Sequence, residues 1–221
     1  MEYNYKEEEK KIIKEQLEMI MTIYKKDNNN EQLTKEELSF LYEINKKPIY
    51  KSETRQMIRA IRYRRDPKSD LAKLFNCKKE EIGLEIEDLS KNKIKYYYGD
   101  LDSLKITTQE ELEKITLPEI ILGDLYLPGL RQLKNYELPK QIIGDLSFLF
   151  LSEAENVKLP EYVGGSMSLG RLKKAKNITF PKFIGECLFI EKLTDINGII
   201  FPENYYYENV YGLDFPKRKN K

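Results

Sequence analysis

The sequence predicts an α+β protein: a helical domain over residues 1–97, then a β-solenoid of about five 21-residue coils over residues 98–216. Three observations carry this. Residues 1–97 place apolar side chains at helical spacing. A Leu-Pro or Phe-Pro pair then returns at a constant 21-residue interval, at Pro118, Pro139, Pro160, Pro181 and Pro202. Between the prolines, apolar columns keep one register through four units, the signature of a stacked repeat.

The first helix is predicted from about Lys6 to Lys26, with Ile13, Leu17, Ile20, Met21 and Tyr24 on one face. Asp27 and Asn28 to Asn30 end it with turn formers. A capping box at Thr34 and Glu37 opens a second helix, with Leu38, Leu41, Tyr42 and Ile44 inward and Pro48 as its stop. A third runs from about Ser52 to Arg65, burying Met57, Ile58 and Ile61. Asp66-Pro67 starts a fourth as N-cap and first helical residue, with Leu71, Ala72, Leu74 and Phe75 apolar. A fifth helix is expected over Lys78 to Leu89.

In the repeat, the columns are Leu125, Leu146, Met167 and Leu188; Leu127, Phe148, Leu169 and Ile190; Leu130, Leu151, Leu172 and Leu193. Two further columns are Leu133, Ala154, Ala175 and Ile196, and Tyr136, Val157, Ile178 and Ile199. The spacing of two within the first pair of columns is the strand period, so each coil is predicted to carry two short strands. One coil cannot bury its apolar row alone, but stacked coils can. Asn135, Asn156, Asn177 and Gly198 share a column and predict a left-handed turn residue. Gly123, Gly144, Gly165 and Gly185, with Asp124 and Asp145, predict a tight corner with a local side-chain bond rather than a calcium site. Gly99-Asp100-Leu101 begins a degraded first unit, with about three residues inserted around Ile106 to Gln109. Tyr205, Tyr206, Tyr207 and Tyr211 suit an end cap, and residues 217–221 form a basic tail.

The repeat Leu-Pro-x-x-Ile-x-Gly-Asp-Leu-x-Leu-x-x-Leu-x-x-Ala-x-Asn-Ile-x-Leu-Pro resembles bacterial leucine-rich-repeat-like proteins of the surface-antigen type, over about residues 98–204. It departs in unit length and lacks that type's Phe-x-x-Cys element. Leu130, Leu151, Leu172 and Leu193 stand where ordinary leucine-rich repeats have a buried asparagine. The resemblance implies protein recognition and brings no catalytic residues.

Composition narrows the chemistry. With no histidine among 221 residues, neither an imidazole metal site nor a His-based catalytic triad can form. Two cysteines, Cys77 and Cys187, are too few for a thiolate zinc site. Charge is balanced, 38 basic against 37 acidic. Residues 1–97 hold 22 basic and 19 acidic side chains, and the rest hold 16 and 18. No signal sequence or membrane-spanning run is read, so a cytoplasmic location with no membrane partner is expected. Heavy use of Lys, Asn, Ile and Tyr fits an AT-rich bacterial or phage genome.

These features predict a non-enzymatic, cofactor-free protein that binds another protein through its solenoid. Its outward rows would be Tyr126, Ser147, Ser168 and Phe189 on one strand, and Glu137, Lys158, Thr179 and Ile200 on another. The alternative is a regulator or inhibitor, of phage or other mobile origin, that contacts nucleic acid or a ribonucleoprotein through residues 52–65. Five of the eight arginines lie there: Arg55, Arg59, Arg62, Arg64 and Arg65. The bland counterpart is a helix face paired to nearby acids. A helix-turn-helix at Leu71 to Leu89, with Ala72, Asn76 and Ile82 at its usual spacings, is disfavoured: Glu80, Glu81, Glu85, Glu87 and Asp88 would face phosphate.

Overall fold

The computed structural model describes residues 2–44, 52–91, 93–102, 104–194, 198–202 and 206–212. The expected features at Pro48, Ile196, Tyr205 and residues 217–221 lie outside them, as does the side chain of Tyr206. The chain forms two compact units, residues 1–79 and 80–221. No helix among the described residues is long and apolar enough to cross a membrane.

Among the described residues of the first unit are the helices α1 (Glu2–Asn28), α2 (Lys35–Leu41), α3 (Ser52–Arg64) and α4 (Pro67–Phe75). The predicted caps are present. Glu37 N donates to Thr34 Oγ1 at 3.1 Å and Thr34 N donates to Glu37 Oε2 at 2.7 Å. Asp66 Oδ1 accepts from Lys68 N at 3.1 Å, with Pro67 in the first turn. Leu38, Leu41, Tyr42, Ile58, Ile61 and Leu71 are buried as expected. The first helix differs. It buries Gln16, Ile20 and Ile23, while Leu17, Met21 and Tyr24 lie 40–55% exposed. Its apolar stripe is wider than one interface, and packing against α2 and α3 selects the Ile20/Ile23 side.

The expected helix over Lys78 to Leu89 does not form. Short 3-10 turns at Lys79–Glu81 and Ile86–Lys91 flank a strand, Ile82–Gly83, that pairs in parallel with Tyr96–Tyr98. Ile82 is fully buried, so its burial as a sheet residue outweighs the weak helical pattern. No second helix follows α4 within this segment, which removes the helix-turn-helix. Asp88 holds this segment by accepting from the backbone N–H groups of Leu84 and Glu85 and pairing with Lys91.

The second unit is a parallel β-solenoid of about five turns at 21-residue spacing. Each repeating coil has three strand-bearing sides, one more than predicted. The first side stacks Tyr96–Tyr98, Ile120–Leu122, Gln141–Ile142, Tyr162–Val163 and the start of Phe183–Phe189. The second stacks Leu125–Tyr126, Leu146–Ser147, Met167–Ser168 and the end of Phe183–Phe189. The third stacks Gln132–Glu137, Glu153–Lys158, Lys174–Lys176 with Ile178–Thr179, and Ile199–Ile200. The additional side buries its own column, Ile121, Ile142, Val163 and Ile184, each at 0% exposure. Among the predicted columns, Tyr136 and Ala175 are only partly buried.

Polar ladders run along the same axis. Asn135, Asn156 and Asn177 take φ of 51, 53 and 52°, as the column predicts. Their amides also bond between coils, Asn156 Nδ2 to Asn135 Oδ1 at 2.8 Å and Asn177 Nδ2 to Asn156 Oδ1 at 3.1 Å. Gly198 breaks the column: a Cβ there would stand 1.9 Å from the Ala175 carbonyl oxygen. At the Gly-Asp corner, Asp124 Oδ1 accepts from Asp145 N and Asp145 Oδ1 accepts from Ser166 N, both at 2.7 Å. A Cβ at Gly144 or Gly165 would fall 2.0 Å from these carboxylate oxygens. The corner bond is therefore between coils, not within one.

Both ends are finished with side chains. The inserted residues form α5 (Gln109–Leu112), capped by Thr108 and Glu111. Gln109 then pairs with strand Gln132–Glu137 as a further rung would. Its Nε2 donates to Lys134 O and its Oε1 accepts from Lys134 N, each at 2.7 Å. This satisfies part of an open sheet edge. At the other end, strand Tyr206–Tyr211 joins Phe183–Phe189. Tyr207 Oη donates to Pro181 O at 2.8 Å and Tyr211 stacks on Phe189 at 5.1 Å.

The asparagine ladder and the Asp88 anchor each have a measurable worth. Asn156→Ala forfeits the amide ladder and the tolerance of left-handed φ that asparagine has and alanine lacks, for a loss of about 2 kcal/mol. Asn156→Gly keeps the backbone and loses about 1 kcal/mol, so denaturant midpoints rank wild type, Gly, then Ala. Asp88 is pulled down to about 2 by Lys91 and by the Leu84 N–H, aided by the Glu85 N–H. A depressed carboxylate stabilises the fold above its unfolded value near 3.8 and loses that as pH falls toward 2. Asp88→Asn removes about 2 kcal/mol of this pH-dependent stability, flattening the acid-unfolding curve in that window.

Candidate functional site

The outward rows of the solenoid are partly committed to its own coils. Tyr126 Oη donates to Asp124 Oδ2 at 3.1 Å; burial and the neighbouring Asp124 carboxylate push its phenol up to about 12. Phe189 carries Tyr211. Glu137 and Lys158, predicted as neighbours in one row, pair with each other at 2.6 Å. Ser147, Ser168 and Thr179 are half-buried, and Ile200 is exposed. The same cross-coil pairing recurs in Lys140–Glu119, Lys174–Glu153, Lys176–Glu155 and Lys182–Glu161, at 2.6–3.2 Å. Every one of these lysines meets the glutamate in the equivalent position one coil earlier.

The arginine cluster divides in two. Arg65 forks onto Asp70, Nε to Oδ2 at 2.6 Å and Nη2 to Oδ1 at 2.7 Å, while Nη1 reaches Asp27 Oδ1 at 2.9 Å. Asp70 raises the Arg65 pKa further, with Asp27 in support against partial burial. Tyr42 Oη completes the group, donating to Asp70 Oδ2 at 3.0 Å. Arg64 bonds Asp27 Oδ2 at 2.7 Å and lies over Tyr24. Arg62 Nε donates to Leu41 O at 2.6 Å, pairs with Glu43 at 3.3 Å and lies 5.3 Å from the Tyr42 ring centre. These three arginines join α1, α2 and α4 to the end of α3, so they are tied up within the helical unit. Arg55 and Arg59 are exposed, and no described residue forms an ion pair with either. Tyr63, at 92% exposure, lies one turn beyond Arg59 on the same side of α3.

The structure also assembles a group that sequence reasoning passed over. Arg131, Phe150, Ser152, Arg171, Lys173 and Lys192 line a groove of about 540 Å³ on the loops between the second and third sides. The guanidinium carbons of Arg131 and Arg171 lie 5.7 and 4.9 Å from the Phe150 ring centre. These residues fall in two columns of the register, Arg131, Ser152 and Lys173 in one and Phe150, Arg171 and Lys192 in the other. The repeat already aligned them, but each column mixes residue types, so no periodic signal marks them. Among the described residues no group of acids and cysteines is arranged to hold a metal ion. Neither Cys77 nor Cys187 is joined in a disulfide.

Comparison with protein-family models, with curated proteins and with solved structures found no match to this chain.

The division among the arginines is measurable. Arg65→Ala takes the guanidinium fork from nearly buried Asp70, leaving it the Tyr42 hydroxyl, and one of two arginines from Asp27, and lowers the stability of the helical unit by about 3 kcal/mol. Arg55→Ala and Arg59→Ala change it by less than about 0.5 kcal/mol. Chemical denaturation of the three variants gives the ranking, and equal losses would contradict it.

Proposed function

We propose that this is a non-enzymatic interaction protein whose solenoid surface binds another protein. One observation carries the reading: parallel ladders hold outward side chains at a fixed spacing of about 4.8 Å per coil, and each row is chemically mixed. A uniform row would suit a repeating ligand; the sequence Tyr126, Ser147, Ser168, Phe189 suits an irregular protein surface. The likeness of the repeat to bacterial leucine-rich-repeat proteins supports the same reading, as it does a bacterial or phage origin. A cytoplasmic setting agrees with two cysteines that are not joined in a disulfide.

Affinity capture with mass spectrometry tests it. Wild-type protein is expected to enrich a specific partner, with recovery falling about tenfold for Ser147→Glu/Ser168→Glu. Equal recovery by both proteins would overturn the solenoid's role.

A second reading has its own observation, the exposed Arg55, Arg59 and Tyr63 on α3. Two guanidiniums and an aromatic ring on one helix side suit phosphate contact and base stacking in a nucleic acid or ribonucleoprotein. An inhibitor or regulator would act through them. A salt-sensitive gel shift with RNA or DNA, abolished by Arg55→Glu/Arg59→Glu, would support it; no shift at low salt would remove it. Arg62 is left out of that test because its loss would also break contacts to Leu41 and Glu43.

A further inference from the structure

We infer that the groove of Arg131, Phe150, Arg171, Lys173 and Lys192 is a binding site for an acidic peptide segment. This rests on the reading of the solenoid as protein-binding and names the chemistry it recognises.

Five solenoid lysines find a glutamate in the equivalent position one coil earlier. The groove cations do not. One coil before Arg171, Lys173 and Lys192 stand Phe150, Ser152 and Arg171. Arg171 and Lys192 thus occupy one column in consecutive coils, about 4.8 Å apart along the stack. Like charges in facing positions oppose folding, so the coils place charge here against their own stability. Among the described residues no acid lines the groove, and Arg131 also borders a neighbouring one with Glu110 and Glu113. Glu153 is taken by Lys174, and the Glu191 carboxylate lies against Gly170. Among the described residues none forms an ion pair with Arg131, Arg171, Lys173 or Lys192.

Phe150 gives the site its form. With both guanidinium carbons within about 6 Å of its ring centre, it gathers two cations around one side chain, each carrying the planar fork that pairs with a carboxylate. A ring already engaged by two cations is a poor platform for bases, which argues against nucleic acid here. The residue before Phe150 in the same bend, Leu149, is 52% exposed, an apolar side chain left at the surface. Carboxylates interspersed with apolar side chains on an extended peptide match both features.

Full-length protein and a short fluorescent peptide of alternating glutamate and leucine test the inference by anisotropy. Wild type is expected to bind, with affinity reduced about tenfold or more by Arg131→Glu/Arg171→Glu. Arg171→Lys keeps the charge without the fork and is expected to lose about threefold. Arg55→Glu/Arg59→Glu should bind as wild type, and the groove variants should retain the wild-type circular dichroism spectrum. Absence of binding by wild type, unchanged affinity in the double variant, or tighter binding of oligo(dT) at the same residues would each overturn it. Partner capture separates this failure from that of the broader reading. A partner lost with Ser147→Glu/Ser168→Glu but kept with Arg131→Glu/Arg171→Glu leaves the solenoid reading standing and removes the groove. A partner kept with both removes the solenoid reading itself.

Discussion

In-register parallel stacking of 21-residue coils is the constraint on which the second unit depends. Each backbone rung bonds to the equivalent rung of its neighbours, as Leu125, Leu146, Met167 and Leu188 do on the second side. Once the register is set, every side chain meets its counterpart from the next coil. Apolar columns become a continuous core, and a polar column must either pair with itself or face solvent. Asparagine can pair with itself because its amide both donates and accepts. Aspartate cannot, and at the Gly-Asp corner its carboxylate takes the next coil's N–H instead. The backbone approach this requires is why glycine precedes it.

The helical unit is held by a different device. Its described helices are short apart from α1. Arg65, Asp70, Asp27 and Tyr42 form a charged knot that ties the end of α3 to α1, α2 and α4. Arginine suits this because its planar fork grips one carboxylate with two parallel bonds and still reaches a second, a geometry the lysine ammonium lacks. Arginine density in a lysine-rich chain therefore marks structure at three positions and leaves Arg55 and Arg59 facing outward.

The same contrast applies on the solenoid. Exposed ion pairs such as Lys176–Glu155 contribute little stability singly, yet they neutralise the sheet faces coil by coil. Against that background, charge without a counterpart in the register stands out at the edge lined by Arg131, Arg171, Lys173 and Lys192. Among the described residues, the first unit leaves Arg55 and Arg59 without an ion pair and the second leaves this edge so.

Much of this was legible in the chain. Proline spacing determined the coil length, and the apolar columns determined which residues form the core. The asparagine column determined three left-handed positions, and Thr34, Glu37, Asp66 and Pro67 determined two helix starts. These are local or strictly periodic signals, and the backbone obeys them wherever it packs. Tertiary structure decided the rest. It chose which side of α1 to bury, because a broad stripe fits more than one neighbour. It drew Ile82–Gly83 into a sheet, because a strand partner outweighs weak helical spacing. It gave each coil a third side, where Ile121, Ile142, Val163 and Ile184 point inward. It also sorted the charges, since whether an arginine is free depends on which carboxylates distant segments bring within reach, and spacing along the chain carries no record of that distance.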